Sequence, residues 1–476
     1  MLRALSVRIK NRAVQVTLAG ALALGTSMPA APVWADNLAD ALVGAYKTSG
    51  LLQQNRALLR AADEDVAIAV SALRPILDWT GRFTRTYTDS VTGLIRTDTQ
   101  TTDAFFGLTA SLLLYDGGNT RLGVKAAQET VLATRQTLLN VEQAILLRAV
   151  VAYMNVLSTT ELVRLSENNV RVLGEELRAA QDRFEVGEVT RTDVALAESR
   201  RASARTALAQ ARGNLTNAQE EYFAAVGRKA HPLSPNPRLP KAPASSEAAR
   251  AVAMRNHPDI LAAQHQVAAA ELNIQRADAQ LGPTASLNGS IGLTNTLNSD
   301  NKRDTASLSL TLNQRLYQGG GRAAGVRRAM ASRDALRANL LTVMENVGQD
   351  VANAYVGLQV AEASLAASET NIRAARIAFD GIREEAKLGA RTTLDVLDAE
   401  QELLDARADR ITAQATRYIA AYQLLSAQGL LTAERLKLNV PIYDPEAYYN
   451  QVKNAPARYS KQGKELDRVL RSIGKK

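Results

Sequence analysis

Residues 183–194 read RFEVGEVTRTDV, and residues 385–396 read EAKLGARTTLDV. The second stretch follows the first at an offset of 202 and sets Gly187, Thr190 and Asp193-Val194 against Gly389, Thr392 and Asp395-Val396. Outward from there, the same offset carries Tyr115 onto Tyr317, Gly117-Gly118 onto Gly319-Gly320, Tyr153 onto Tyr355, Glu198 onto Glu400 and Gly227 onto Gly429, without a gap. Pro75 falls on Pro283 at an offset of 208, so the first copy has six extra residues between Pro75 and Tyr115. One register held over more than a hundred residues marks a duplication. Two copies of roughly 190 residues are too few and too long for a solenoid, so one elongated body with pseudo-twofold packing is expected.

Each copy arranges its signals in one order. Helical composition comes first, from Leu38 to about Leu73 and from Glu247 to about Leu281, and a proline ends it. Two alternating stretches follow. Leu308, Leu310 and Leu312 alternate with Ser307, Ser309, Thr311 and Asn313, the pattern of a strand with one apolar and one wet face. Phe106, Leu108, Ala110, Leu112 and Leu114 share that parity, and the partner strands carry Leu77, Trp79, Phe83, Tyr87 and Leu287, Ile291, Leu293. Polar turns are expected at Thr92–Thr102 and Ser299–Asp304.

After Tyr-x-Gly-Gly the period changes to seven. Val156, Val163, Val170, Leu177 and Phe184 map onto Leu358, Leu365, Ile372, Phe379 and Ala386, and a return seam runs through Leu397, Leu404, Ile411, Tyr418 and Leu425. Proline is absent from Asn119 to Val186 and from Arg322 to Leu388, long enough for helices of roughly 100 Å at 1.5 Å per residue. Gly187 and Gly389 suit left-handed C-terminal caps. Thr190 or Thr192, and Thr392 or Thr393, suit the N-caps of the returning helices. Each copy is therefore a long helical hairpin joined to a β-hairpin.

Composition narrows the function. With 476 residues, 46% hydrophobic and 22% charged, the chain can bury a core, and the absence of cysteine excludes disulfides, thiolate zinc sites and cysteine nucleophiles. The opening basic residues Arg3, Arg8, Lys10 and Arg12, an apolar stretch from Ala13 to about Gly25 and the exit Val33-Trp34-Ala35 read as a signal peptide cleaved after Ala35. Its apolar run is too short to span a bilayer. The formal charge is +9; cleavage leaves +5, and the tail from Val452 to Lys476, with eight basic and two acidic residues, accounts for more than that. In an exported protein such a tail is expected to be solvated or to contact a partner, and no nucleic acid is expected.

A strand face that alternates apolar and polar in an exported chain fits a transmembrane β-barrel. Four strands do not close a barrel, and lipid does not tolerate open edges. Either the sheet is soluble, or several chains contribute strands to one barrel; three would give twelve.

These residues together resemble the TolC family of outer-membrane channel-tunnels across essentially the whole mature chain. The likeness is carried by residues 183–194, by Gly389 to Ala399, and by Tyr115-Asp116-Gly117-Gly118 and Tyr317-Gln318-Gly319-Gly320 at the strand-to-helix junctions. The resemblance implies a mixed α/β membrane protein, mainly α. In it, long antiparallel coiled-coil hairpins form an α-barrel, and each of three chains gives four strands to a 12-stranded transmembrane β-barrel. It implies residence in the outer membrane with the helical barrel in the periplasm. The implied role is a passive exit duct, without enzymatic activity or cofactor, for type I protein secretion or multidrug efflux. Its partners would be a periplasmic adaptor and an inner-membrane ABC or RND-type transporter. Protein secretion is the preferred cargo class of the two. On this reading residues 1–35 are the signal peptide, 36–230 the first repeat, 231–246 a Pro-rich linker in an equatorial belt, 247–430 the second repeat, and 431–476 a C-terminal equatorial segment and basic tail.

The copies differ where the helices turn. Arg391 matches Val189 and Asp398 matches Leu196, so only the second copy has two acids one turn apart, Asp395 and Asp398. Threefold symmetry would set six carboxylates around one axis. Such a ring attracts cations, and mutual repulsion is expected to raise some of its pKa values. The resemblance places Asp395 and Asp398 at the periplasmic constriction and gives Arg391 the part of a latch between hairpins, whereas Ala386 stands where the family has a tyrosine. Asp193, without a second acid, reads as a helix-start residue. The tips Val186, Gly187, Glu188, Val189 and Leu388, Gly389, Ala390, Arg391 are tight turns and, by resemblance, adaptor-docking points. His231, His257 and His265 lack metal-ligand spacing. A soluble periplasmic coiled-coil adaptor or scaffold is the alternative, but no β domain interrupts the hairpin. A periplasmic enzyme would need a reactive constellation that the sequence lacks.

Overall fold

The computed structural model describes residues 36–297 and 299–473. The expected signal peptide and the last three residues lie outside the described residues. Where one helix is expected at the start of each copy, there are two. In the first copy α1 (Leu38–Thr48) and α2 (Gly50–Ser71) meet at Ser49, whose hydroxyl accepts from the Leu52 N–H. In the second, α5 (Ser246–Asn256) and α6 (Pro258–Ala279) meet at His257, because a proline at the first helical position cannot continue the hydrogen bonds of the helix before it.

The strands are β1 (Ile76–Thr92), β2 (Ile95–Tyr115), β3 (Thr284–Thr296) and β4 (Lys302–Asn313), antiparallel in the order β1-β2-β3-β4. Most of the expected turn at 92–102 is strand instead. Thr92 pairs with Ile95, so the reversal takes only Gly93 and Leu94, with Gly93 at φ +66°, and the Thr-rich segment beyond it keeps its β preference. The second hairpin turns between Thr296 and Lys302, close to expectation.

Two helices of 67 residues, α3 (Asn119–Glu185) and α7 (Gly321–Lys387), leave the sheet and return as α4 (Arg191–Val226) and α8 (Thr393–Ala427). Gly118 and Gly320, both left-handed, sit at the elbows where strand becomes helix. The heptad residues Val156, Leu177, Leu358 and Phe379 are buried as expected, whereas Phe184 at the tip is exposed. The return seam differs from expectation. In α8 Val396, Ala399, Leu403 and Ala406 are buried against Ala375 and Phe379 of α7, and Ala413, Ala415, Ala420 and Ala421 are buried further along, so small residues make up much of the buried side and let the hairpin close tightly. Leu397 instead packs across to Leu173 and Ala204 of the first hairpin. Counting only large apolar residues reveals the second contact and hides the first.

Halfway along the long helices lies the largest core, built from α1, α2, the middle of α3, the end of α4 and the segment after Gly429. One stretch of α3 is apolar enough to cross a membrane, but half of it is buried in the chain itself, and Leu146, Val150 and Tyr153 belong to this core. Tyr153 is fully buried, its hydroxyl 2.8 Å from the Ser234 carbonyl and 3.0 Å from that of Asp36. Its counterpart Tyr355 reaches the Ala244 carbonyl at 3.4 Å. Glu142, buried, accepts from the Ala433 N–H at 2.7 Å and so ties the C-terminal segment to α3; burial nonetheless raises its pKa. The last elements are α9 (Pro445–Val452) and α10 (Lys461–Ile473).

Candidate functional site

Two regions carry chemistry: one face of the sheet and the ends of the helical hairpins. On the sheet the register puts apolar side chains side by side. Trp79 faces Leu108 and Leu108 faces Ile291; Phe106 faces Leu293, Leu112 faces Leu287, and Leu287 faces Leu310. Most of these side chains are exposed, with Leu112 and Leu287 half-buried, and Leu77 and Leu308 on the same face are each 77% exposed. The other face carries Thr80, Arg82, Asn288, Ser290, Ser307 and Thr311, with Ser290 and Ser307 hydroxyls 2.8 Å apart. Among the described residues β1 pairs only with β2 and β4 only with β3, so both edges present unpaired backbone groups. The sheet thus combines one exposed apolar face with two open edges.

The helical ends are built alike in both copies. Each long helix ends in a left-handed glycine, Gly187 at φ +81° and Gly389 at +77°. The Glu188 N–H reaches the Arg183 carbonyl, and the Ala390 N–H that of Glu385. Thr190 and Thr392 cap the returning helices. Each forms a reciprocal capping box, with Asp193 and with Asp395 respectively. Val186 and Leu388 are exposed at 70% and 86% beside these turns.

The acid pair on α8 does two different jobs within the chain. The Asp395 carboxylate accepts from the Thr392 N–H at 2.9 Å and from its hydroxyl at 2.8 Å. These bonds favour the charged form and hold its pKa below the usual carboxylate range, with Arg391 adding a smaller push the same way. Within one chain its local role matches that of Asp193, whose pKa is lowered by Thr190; the rise expected from mutual repulsion concerns carboxylates of neighbouring subunits. Asp398 instead pairs with Arg200 of α4 at 2.5 Å, which joins the two hairpins of one subunit. Arg391 turns to Glu385, 2.8 Å away across its own tip. Ala386 packs with Ile372 and Ile382 on the cluster around Phe379 and Val396, so this position contributes apolar packing.

Sequence reading missed Arg200, and a signal for it existed. At the repeat offset Arg200 faces Glu402 and Asp398 faces Leu196, so the copies differ in charge at both positions. It also missed a buried carboxyl about two turns into α8. Glu400 is 8% exposed and its Oε2 has no hydrogen-bond partner. Nearby, Glu176 of α3 pairs with Arg383 of α7 at 3.4 Å. Burial, reinforced by Glu176 and opposed by Arg383 and Arg407, pushes the Glu400 pKa up to about 7. Of the histidines, His257 caps α6 by accepting from the Asp259 N–H, and His265 meets Glu129 at 2.8 Å. Among the described residues no cluster of His, Asp and Glu suits a metal ion.

Comparison with known proteins places this architecture. A family model described as outer membrane efflux protein matches residues 45–228 and 249–430. The outer membrane efflux protein BepC of Brucella suis biovar 1 (strain 1330) is 37% identical over 442 residues, covering 92% of this chain and 95% of that protein. The outer membrane protein TolC of Vibrio cholerae serotype O1 is 26% identical over 423 residues, covering 87% and 94%. Among solved structures, the Campylobacter jejuni CmeC outer membrane channel superimposes with a TM-score of 0.74 at 16% identity, covering 89% of this chain and 90% of that one.

Proposed function

The chain belongs to the outer membrane efflux protein family, and from that premise we propose that three copies close one twelve-stranded barrel, with six helical hairpins ringing a periplasmic tunnel. It is an outer-membrane exit duct for efflux and secretion, not an enzyme, and its long helices lie on the periplasmic side. The observation that carries the trimer is the unfinished sheet. Its apolar face suits lipid, and its free edges at β1 and β4 find partners only on neighbouring copies, since open edges do not persist in hydrocarbon.

At the far end, Asp395 and Asp398 narrow the tunnel as a ring of carboxylates, and Arg391 holds the second tip closed through Glu385. The pair between Asp398 and Arg200 adds a contact between hairpins of the same subunit. The tips Val186 to Val189 and Leu388 to Arg391 receive a periplasmic adaptor, which couples the duct to an ABC or RND-type transporter of the inner membrane. Supporting this, the tips expose apolar side chains beside rigid glycine turns at the point farthest from the sheet. The linker at 231–246 and the segment after residue 430 form a belt around the middle of the helices, where Tyr153 and Glu142 grip them.

A photo-crosslinking side chain at Ala390 or Val189 tests the docking role. It is expected to capture one adaptor species in the cell, whereas the same group at Ser90, on the β-hairpin, captures none. Equal yields from both ends, or no capture at the tips, would remove the docking assignment.

A further inference from the structure

After Gly429 the chain climbs beside α2 toward the sheet. The Tyr443 N–H reaches the Tyr46 hydroxyl at 3.4 Å, and the Arg56 guanidinium lies 5.0 Å from the centre of each ring. Higher up, the Tyr448 hydroxyl donates to Glu64 at 2.6 Å. Higher still, Arg74 takes the carbonyls of Asn454 and Ala455. Arg74 stands two residues before β1 begins, so this turn sits where the chain enters the membrane.

From there α10 folds back against α9. Gln462 donates to the Gln451 carbonyl at 2.7 Å, and Leu466 packs with Tyr448 and Val452. The helix is strongly two-sided. Lys461, Lys464, Arg468 and Arg471 share the face opposite Leu466 and are all exposed; among the described residues none of the four has an ion-pair partner. The two acids of the helix, Glu465 and Asp467, lie at the flanks of this basic face.

We propose that the basic face of α10 binds the anionic phospholipid headgroups of the periplasmic leaflet, as a collar around the base of the barrel. The charge matches, since the tail from Val452 onward carries +6 while residues 36–451 sum to about −1. The place matches as well. Headgroups extend about 5–8 Å beyond the hydrocarbon on each side, and Arg74 pins the turn before α10 at that level, so Lys461 and Lys464 in the first turn of α10 lie nearest to them, while Arg468 and Arg471 follow roughly 10 and 15 Å along the helix at 1.5 Å per residue and act through the longer-range field. With three chains, six cations from the first turn of α10 would surround the barrel mouth, backed by six more along the helix. This inference rests on the membrane placement of the sheet, so its test uses assembled trimers whose barrel is already in a bilayer.

Hydrogen exchange is followed in trimers held in nanodiscs of phosphatidylcholine alone, or of phosphatidylcholine with about one-third phosphatidylglycerol. Amides of residues 461–473 are expected to exchange about five-fold more slowly in the anionic discs, and high salt should erase the difference. Replacing all four cations (K461Q, K464Q, R468Q, R471Q) should also erase it while strand amides stay protected, which shows the barrel intact. Equal exchange in both lipids, or a slowing that survives the four substitutions, would overturn the proposal. Unprotected strands would instead indict the barrel itself.

Discussion

Replacing Asp395 and Asp398 together with asparagine is expected to raise the concentration of a trivalent cation needed for half-block in planar bilayers by about tenfold or more. Two unit charges 6 Å apart in water are worth about 0.7 kcal/mol, and tenfold corresponds to 1.4 kcal/mol. A trivalent ion facing several carboxylates at once exceeds that threshold even after salt screening. The two acids do not contribute alike. Asp398 shares its charge with Arg200, whereas Asp395 carries its full charge well below neutral pH because Thr392 stabilises the ionised form. Asp395→Asn alone should therefore weaken block more than Asp398→Asn alone. Arg200→Ala should act in the opposite direction and strengthen block, because it uncovers Asp398. That reversal separates a charged constriction from a merely structural helix start, which would leave block unchanged in every variant.

The second large effect concerns pH. Glu400 lies in the seam where Glu176 of α3, Arg383 of α7 and Arg407 of its own helix surround it. From α4, Arg200 holds Asp398, and Arg201 covers Gly174, where an added Cβ would sit 3.5 Å from its Nε. The packed seam raises the carboxyl from 4.5 to about 7, so it binds a proton that separated hairpins release. Between those values packing is favoured at low pH and weakens as pH rises; above 7 the buried charge costs on the order of 3 kcal/mol per chain. Exchange of amides along the seam, and the open fraction of the channel, should both increase from pH 6 to pH 8. Glu400→Gln should remain tightly packed at both values. A seam that responds identically in the wild type and in this variant would exclude Glu400 as the source.

Much of the architecture was legible from repetition. The offset of 202 located both hairpins, and alternation in 308–312 located the sheet face, because burial on one side imposes a period of two on a strand. What stayed hidden depended on small residues and on distant partners. Ala399, Ala406 and Ala413 form the tight seam of α8, yet alanine carries little weight in a hydrophobic count. Ser49 and His257 break helices that composition would run through, since a cap depends on one local bond and not on a pattern. At the tip, sequence pointed to Asp395, Asp398 and Arg391 but not to what each one holds. The pair between Arg200 and Asp398 spans 198 positions, and only the fold brings it together.

The trimer underlies every one of these expectations, and the chain's lack of cysteine allows a direct measurement. Single cysteines placed in turn along β1 and along β4 can be paired and oxidised in native outer membranes. The account predicts that some pairs link into a ladder ending at three chains, and that the linked species conducts ions in a bilayer. A product that never exceeds one chain, with β1 and β4 joined within the same subunit, would contradict it.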